Sequence, residues 1–344
     1  MKLLIITQKV DINDDNLSFF HRWVEKFSER LEKVYVICLS VGEYDLPDNV
    51  HVFSMGKEEG YSKMKQFLLL QSYLLKNLSN VDGVFIHMCS IYAICSYIPA
   101  KIFGKKMILW FAHKNLGWKL RLTEKLVDKI LTASRESCRL KRRKKIKIVG
   151  HGIDINRFKP SDNTNEKNNF VILSAGRINP SKDLETLVEA ADILIRKGNI
   201  NNLKLMIAGN PITAAEGVYL TKIKDIINEK GLSDNFEFLG SVPNYKMPEY
   251  YQASDVFVNL SHTGSMDKVV LEAMACGIPV LTCNESFDSL LDKKYRFEKK
   301  NYKELADKIF RIKNDGFKDG LRKIVVDNYN LDNLIDKITN EFKV

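Results

Sequence analysis

The sequence predicts an α/β protein of two doubly wound, Rossmann-like domains, each a parallel sheet covered by helices on both faces. Three observations carry this expectation. The chain has 344 residues, 45% hydrophobic and 28% charged, an ordinary globular composition at a length that outgrows one core. Short apolar runs alternate with helical patterns along nearly all of it, the order that buries parallel strands on both sides. The alternation breaks once, at the polar stretch GHGIDINRFKPSDNTNEKNN (150–169), which reads as an interdomain connection.

KLLIIT opens as a strand, and SFFHRWVEKFSERL follows as an amphipathic helix with Phe20, Trp23, Val24, Phe27 and Leu31 on one face. KVYVICL and VHVFSM read as strands, KMKQFLLLQSYLLKNL as a helix, and VDGVFIHM as a strand. IYAICSYIPAKIF is a helix, KKMILWFAH a strand, and KLRLTEKLVD a helix before the strands KILTAS and KIKIVG. The second domain restarts with FVILSAG and repeats the pattern through LKLMIAG, FEFLG, VFVNL and PVLTC, with helices between. The chain ends in helices, NYKELADKIFRIKN and LDNLIDKITNEFK being the clearest. Domains of 1–150 and 151–324 follow.

Composition narrows the function. Six cysteines without a C-x-x-C pair suggest neither a zinc site nor a disulfide framework, and fit a reducing cytoplasm. The apolar run in MKLLIITQKV is too short for a signal peptide, and no 18 clean apolar residues stand together. Net charge is +10 but uneven: residues 1–160 hold 28 Lys and Arg against 16 Asp and Glu, the remainder 25 against 27. The densest run, RESCRLKRRKKIK (Arg135–Lys147), is either a solvated face or a docking surface for a polyanion such as the inner face of an anionic membrane. A nucleic-acid-binding module has only this charge behind it, with no RNA-binding aromatic motif or zinc finger.

In doubly wound sheets ligands bind beyond the carboxyl ends of the strands, where helix N-termini present free N–H groups. After the first strand, TQKVDINDDN contains no glycine, and the first glycine in the chain is Gly42. Neither a dinucleotide fingerprint nor a Walker A loop fits there. In SAGRINPSKDLETLVEA, Arg177 and Lys182 flank a helix start, where the dipole disfavours cations. An anion between them explains the pair; a solvated turn is the alternative. In HTGSMDKVVLEAMACGIPVL, Glu272 is the lone polar residue of an otherwise apolar helical run with Asp267 at its N-cap position. A buried carboxylate needs a partner. Lys268 at i−4 is one candidate, and ligand hydroxyls such as those of a ribose are another.

GRINPSKDLETLVEA, LMIAGN, FLGSVP, YYQASDVFVNLS and VVLEAMACGIPVL, in that order, with VGHGIDINRFKP before them, resemble the retaining glycosyltransferases of family 4. The resemblance is strong from about 145 to 283 and weak in the first half. It implies the GT-B fold, two doubly wound domains facing each other across a cleft, with a C-terminal helix (about 325–344) returning to the first. It implies that Glu272 receives the ribose hydroxyls of a nucleotide-sugar donor, UDP- or GDP-linked, and that Arg177 and Lys182 hold its diphosphate and act in catalysis. Nucleobase contacts are expected from Gly209, Asn210, Gly240 and Val242. His113 is expected to touch donor sugar or acceptor, and Asp15, Asn16 and His87 lie on the acceptor side.

The family carries a second glutamate eight positions before Glu272, where this chain has Gly264. Asp267, or the backbone of Ser265, Met266, Lys268 and Val269, is expected to take over the sugar contact. No D-x-D occurs in the sequence, so the expected transfer of a hexosyl group to a glycan or lipid-linked acceptor uses no metal and no further cofactor. The reading places the enzyme in surface polysaccharide biosynthesis, cytoplasmic and peripheral on the membrane. A nucleotide-sugar epimerase or hydrolase of the same fold is the alternative.

Overall fold

The computed structural model describes the whole chain except residues 15, 114–115, 141–142, 162–167, 199, 201, 317–319 and 344. Two compact units divide it: residues 1–152 with 243–245 and 331–344, and residues 153–242 with 246–330.

The first unit holds seven parallel strands, β1 (Lys2–Val10), β2 (Lys33–Val41), β3 (Val50–Ser54), β4 (Gly83–His87), β5 (Lys106–Trp110), β6 (Lys129–Thr132) and β7 (Ile146–Ile148), in the order β3-β2-β1-β4-β5-β6-β7. Register is set through the central strand, where Leu4 sits between Tyr35 and Val84. Leu3, Leu4, Ile5 and Ile6 are all fully buried, as a strand covered on both faces requires. Helix α1 (Ser18–Ser28) packs Phe20, Trp23, Val24 and Phe27 on one face of the sheet. Helices α2 (Lys63–Asn77), α3 (Ser90–Ile102) and α4 (Trp118–Leu126) cover the other with Leu70, Leu74, Tyr92, Ala93 and Leu120.

The second unit holds β8 (Phe170–Ala175), β9 (Leu203–Ala208), β10 (Phe236–Gly240), β11 (Val256–Asn259) and β12 (Val280–Thr282), all parallel, in the order β10-β9-β8-β11-β12. Helices α5 (Leu184–Arg196), α6 (Ala214–Glu229) and α9 (Tyr302–Asp315) cover one face. The other face takes α7 (Met247–Ala253), α8 (Lys268–Ala275) and α10 (Leu321–Asn328). Arg322 of α10 donates to the carbonyls of Ile155, Phe158 and Ala275, so a cation closes the negative end of α8.

The last helix, α11 (Leu331–Asn340), belongs to the first unit. Its Ile335 and Ile338 enter the core beside α1, and Asp332 pairs with Arg30 at 2.8 Å and Lys26 at 3.2 Å. The return therefore begins at Leu331 rather than near 325, because α10 packs on α8 within the second unit. Two members of the basic run serve the fold. Lys145 caps the end of α4 through the carbonyls of Glu124 and Val127, and Lys147 pairs with Glu341 at 2.6 Å. Lys141 and Arg142 lie outside the described residues. Among the described residues no helix is long and apolar enough to cross a membrane.

Candidate functional site

The order of the second sheet reverses between β8 and β11, the position where doubly wound sheets open a crevice at their carboxyl ends. A shallow concavity lies there, lined by Gly176, Arg177, Lys182, Ala208 and Asn259 among others. Three glycines, the first of them in this lining, stand at the carboxyl ends of β8, β9 and β10. Gly176, Gly209 and Gly240 have φ of +139°, +141° and +68°, values that favour glycine. Their backbones are stitched together, Gly176 N donating to Ala208 O at 2.9 Å and Gly209 N to Gly240 O at 2.7 Å. A Cβ on Gly209 would stand 2.0 Å from the carbonyl oxygen of Gly176, so no side chain fits. Asn210 spans the neighbouring turns: with its amide oriented to satisfy both ends, it donates to Gly209 O and accepts from Ser241 N. Val242 is half-buried against the adjacent core.

Arg177 leaves the end of β8 and meets Glu216 through Nε at 3.0 Å and Nη2 at 2.9 Å. Glu216 also accepts from the backbone of Ile212 and Thr213, while Thr213 caps α6. Burial works against the ionised carboxylate. The Ile212 amide, the Arg177 guanidinium and the Thr213 amide outweigh it, and Glu216 is held down to about 2. The guanidinium is thus aimed by the start of α6, leaving Nη1 without a bonded partner among the described residues. Thr213-x-x-Glu216 is a capping-box spacing visible in the sequence, and that signal identifies a partner the motif reading of Arg177 passes over.

Lys182 crosses from the β8 side to the β11 side. Its Nζ lies 3.0 Å from Asp267 Oδ1 and 3.2 Å from Ser261 Oγ. Asp267 occupies the N-cap position of α8 but makes no side-chain cap. Its Oδ2 accepts instead from Asn259 at 3.2 Å and Asn284 at 2.9 Å. Burial pushes this carboxyl up, and Lys182 with the polar donors overrides that and keeps it below the usual range. The sequence expectation of Asp267 as a cap is corrected accordingly: a carboxylate held by three side chains has turned away from its own helix.

Gly264, where the resemblance leads one to expect glutamate, has φ +66°. A glutamate there would be strained, so the loop before α8 follows a different path at this point. Ser265 contributes its carbonyl to Asn284 at 2.7 Å. Met266 is buried in the core under α8, and Val269 packs against the same cluster, so only their backbones are available to a ligand.

Glu272 sits just over one turn into α8 and is 2% exposed. Tyr251 of α7, itself fully buried, donates to its Oε2 at 3.0 Å, and Lys268 Nζ stands 3.8 Å from Oε1. Burial pushes the Lys268 ammonium down to about 8, with Glu272 pulling the other way. Of the partners foreseen for a buried carboxylate, the i−4 lysine is present, and a tyrosine hydroxyl, 21 residues away in sequence, is added. Tyr251, Asn259, Asn284 and Glu216 escape motif reading because their partners are brought by the fold.

The remaining candidates lie in the first unit. His113 is exposed just beyond β5, and Asn16 is exposed in a turn whose Asp14 accepts from the backbone of Asn16 and Leu17. Asp15 is outside the described residues. His87 is 1% exposed, with Nδ1 3.3 Å from Thr7 Oγ1 and its ring stacked on Phe20 at 3.9 Å. A ligand reaches it only if Phe20 moves.

Known proteins are similar to this chain in sequence and in fold. The family model described as group 1 glycosyl transferases matches residues 154–330, nearly the whole second unit and just over half the chain. The capsular polysaccharide biosynthesis glycosyltransferase CapM of Staphylococcus aureus is 28% identical over 216 residues, 57% of this chain and 52% of that protein. Mannosylfructose-phosphate synthase of Agrobacterium fabrum is 30% identical over 148 residues, 41% of this chain and 33% of its own length. The matches thus span about half and a third of those relatives. In fold, the chain is similar to Anabaena Alr3699/HepE, whose structure contains UDP-glucose: the TM-score is 0.79 at 17% identity, over 100% of this chain and 99% of that one. Two parallel-sheet units of this kind constitute the GT-B fold, and the chain belongs to the group 1 glycosyl transferases.

Proposed function

We propose that the protein is a retaining glycosyltransferase that moves a hexosyl group from a UDP- or GDP-linked sugar to a glycan or lipid-linked acceptor in surface polysaccharide biosynthesis. One observation carries the reading: beside a crevice lined by Gly176 and two oriented cations, α8 buries a carboxylate about one turn from its start. A diphosphate meets Arg177 Nη1, the remaining N–H of Lys182 and the positive end of the α8 dipole. Glu272, steadied by Tyr251 and Lys268, receives ribose hydroxyls at the further acceptor sites a carboxylate provides. The turns at Gly209-Asn210 and Gly240 to Val242 face the base. The capsular role in the name of CapM supports a polysaccharide product, and the UDP-glucose bound to HepE favours uridine.

Chemistry follows from charge. Departure of the nucleoside diphosphate develops negative charge on the β-phosphate, and fixed cations with helix N–H groups stabilise it most where it develops. These groups, with no D-x-D in the sequence, support transfer without a metal. The leaving phosphate then takes the proton of the acceptor hydroxyl on the same face, through an oxocarbenium-like state, which retains configuration. Acceptor contacts fall to His113 and Asn16. His87 supports them from behind.

The test is a panel of UDP- and GDP-sugars read first by thermal shift, since a ligand that binds only the folded protein raises its melting point. Radiolabel transfer to added acceptor follows, with the anomeric configuration of the product read by NMR. A retained anomer on the acceptor is the expected result. Conversion of the donor without acceptor assigns an epimerase or hydrolase instead, and an inverted anomer removes the retaining step.

A further inference from the structure

The outward side of the first unit carries an apolar pattern that donor binding does not use. Helices α2, α3 and α4 are consecutive neighbours over one face of the sheet, and each turns a hydrophobic stripe to solvent. On α2, Met64, Leu68 and Leu75 are exposed at i, i+4 and i+11, joined by Phe67. On α3, Ile91, Ile98 and Ile102 are exposed at i, i+7 and i+11. On α4, Trp118 and Leu122 are exposed at i and i+4. Such spacings put each set on one helix face. The exposure is large: 67% for Met64, 68% for Ile98, 74% for Ile102 and 66% for Trp118. Single exposed apolar residues are ordinary, but three adjoining stripes mark a contact surface.

The charge around them identifies the partner. From Lys63 to Lys119 the sequence holds eight lysines and one acidic residue, Asp82. Lys63, Lys65, Lys76, Lys101 and Lys119 are exposed beside the stripes. Apolar faces with a basic surround and an exposed tryptophan fit the interface of an anionic bilayer, where the aromatic ring seats at headgroup level and lysines meet the lipid charges. A second copy fits poorly, because a twofold contact would set lysine against lysine. We propose that α2, α3 and α4 form a docking face that lays the first unit on an anionic membrane surface, with Ile98, Ile102 and Trp118 entering the headgroup layer. The surface thereby shifts from the Arg135–Lys147 run, where Lys145 and Lys147 already serve the fold, to these helices. This inference is independent of the transfer reaction.

The chain supplies its own probe. Of three tryptophans, Trp23 and Trp110 are buried and Trp118 is exposed, so a vesicle-induced change in emission reports Trp118. Phosphatidylcholine vesicles with about a third phosphatidylglycerol should blue-shift the emission and co-sediment the full chain, and pure phosphatidylcholine should do neither. The double variant Ile98→Asp/Ile102→Asp should melt like the parent and bind the anionic vesicles at least about tenfold more weakly. Raising salt should weaken the parent's binding. Equal behaviour with both vesicle types, or an unshifted emission, overturns the proposal. So does a parent dimer in sedimentation velocity that Ile98→Asp/Ile102→Asp dissolves, since that assigns the face to a second copy.

Discussion

The two sheets reverse strand order at equivalent places, between β1 and β4 in the first unit and between β8 and β11 in the second, and fill those places differently. In the first, Thr7 and His87 meet at 3.3 Å beneath the rings of Phe20, Trp23 and Trp110. The following turn is polar and glycine-free, closed by Asp14 and by ion pairs of Lys9 with Asp11 at 2.8 Å and Asp14 at 2.9 Å. In the second, glycine turns bring backbone together, and Lys182 bridges β8 to Asp267 and Ser261 beyond β11. The contrast shows that topology provides a position and side chains decide its use. An aromatic plug makes the first switch point part of the core. Paired charges keep the second polar.

The largest effect expected from breaking this contrast is on turnover. Arg177→Ala and Lys182→Ala should each lower kcat by about 10²–10³-fold in steady-state assays if they stabilise the departing phosphate; unchanged turnover in both removes them from the mechanism. Next are the glycine turns beside the crevice. Gly209→Ala places a methyl against the Gly176 carbonyl at a left-handed φ and should cost about 3 kcal/mol or more in urea unfolding. Tyr251→Phe leaves Glu272 buried without its hydroxyl donor and should cost about 1–3 kcal/mol in the same measurement, with weaker donor binding.

A pH titration sharpens the picture further. With Lys268 held down to about 8, the folded protein sheds this proton above pH 8 while the unfolded chain keeps it until about 10.4. Proton binding by the unfolded state then exceeds that of the folded state, so this residue's contribution to stability rises with pH across the window. Donor affinity should move the opposite way, falling above pH 8 as the ammonium that steadies Glu272 is lost; calorimetry at pH 7 and 9 checks it. The smallest effect is a control of opposite sign. A Cβ at Gly217, inside α6, meets nothing within 4 Å, so Gly217→Ala should stabilise by about 0.5–1 kcal/mol.

Periodicity alone yields the strands and most helices, because buried parallel strands and amphipathic helices write their patterns locally. α10 is less legible: its eight residues follow Gly320, which offers no side-chain cap. The burial of Glu272 is readable from its apolar neighbours, whereas Tyr251 is not, since no local rule joins residues 21 positions apart. Arg177 and Lys182 read as cations awaiting an anion, but their pairing with Glu216 and Asp267 needs the tertiary fold. The stripes on α2 and α3 mislead in the other direction. Their apolar residues satisfy a core pattern, and only three-dimensional packing reveals that Met64, Leu68, Ile98 and Ile102 face outward.

A double comparison in donor and protein tests the central assignment most directly. Affinities of the best UDP- or GDP-sugar and its 2′,3′-dideoxyribose analogue are measured calorimetrically on the parent and on Glu272→Ala, with folding verified by melting. If Glu272 receives the ribose hydroxyls, the parent discriminates by about tenfold or more and the variant binds both donors alike. The same discrimination in parent and variant would contradict the account.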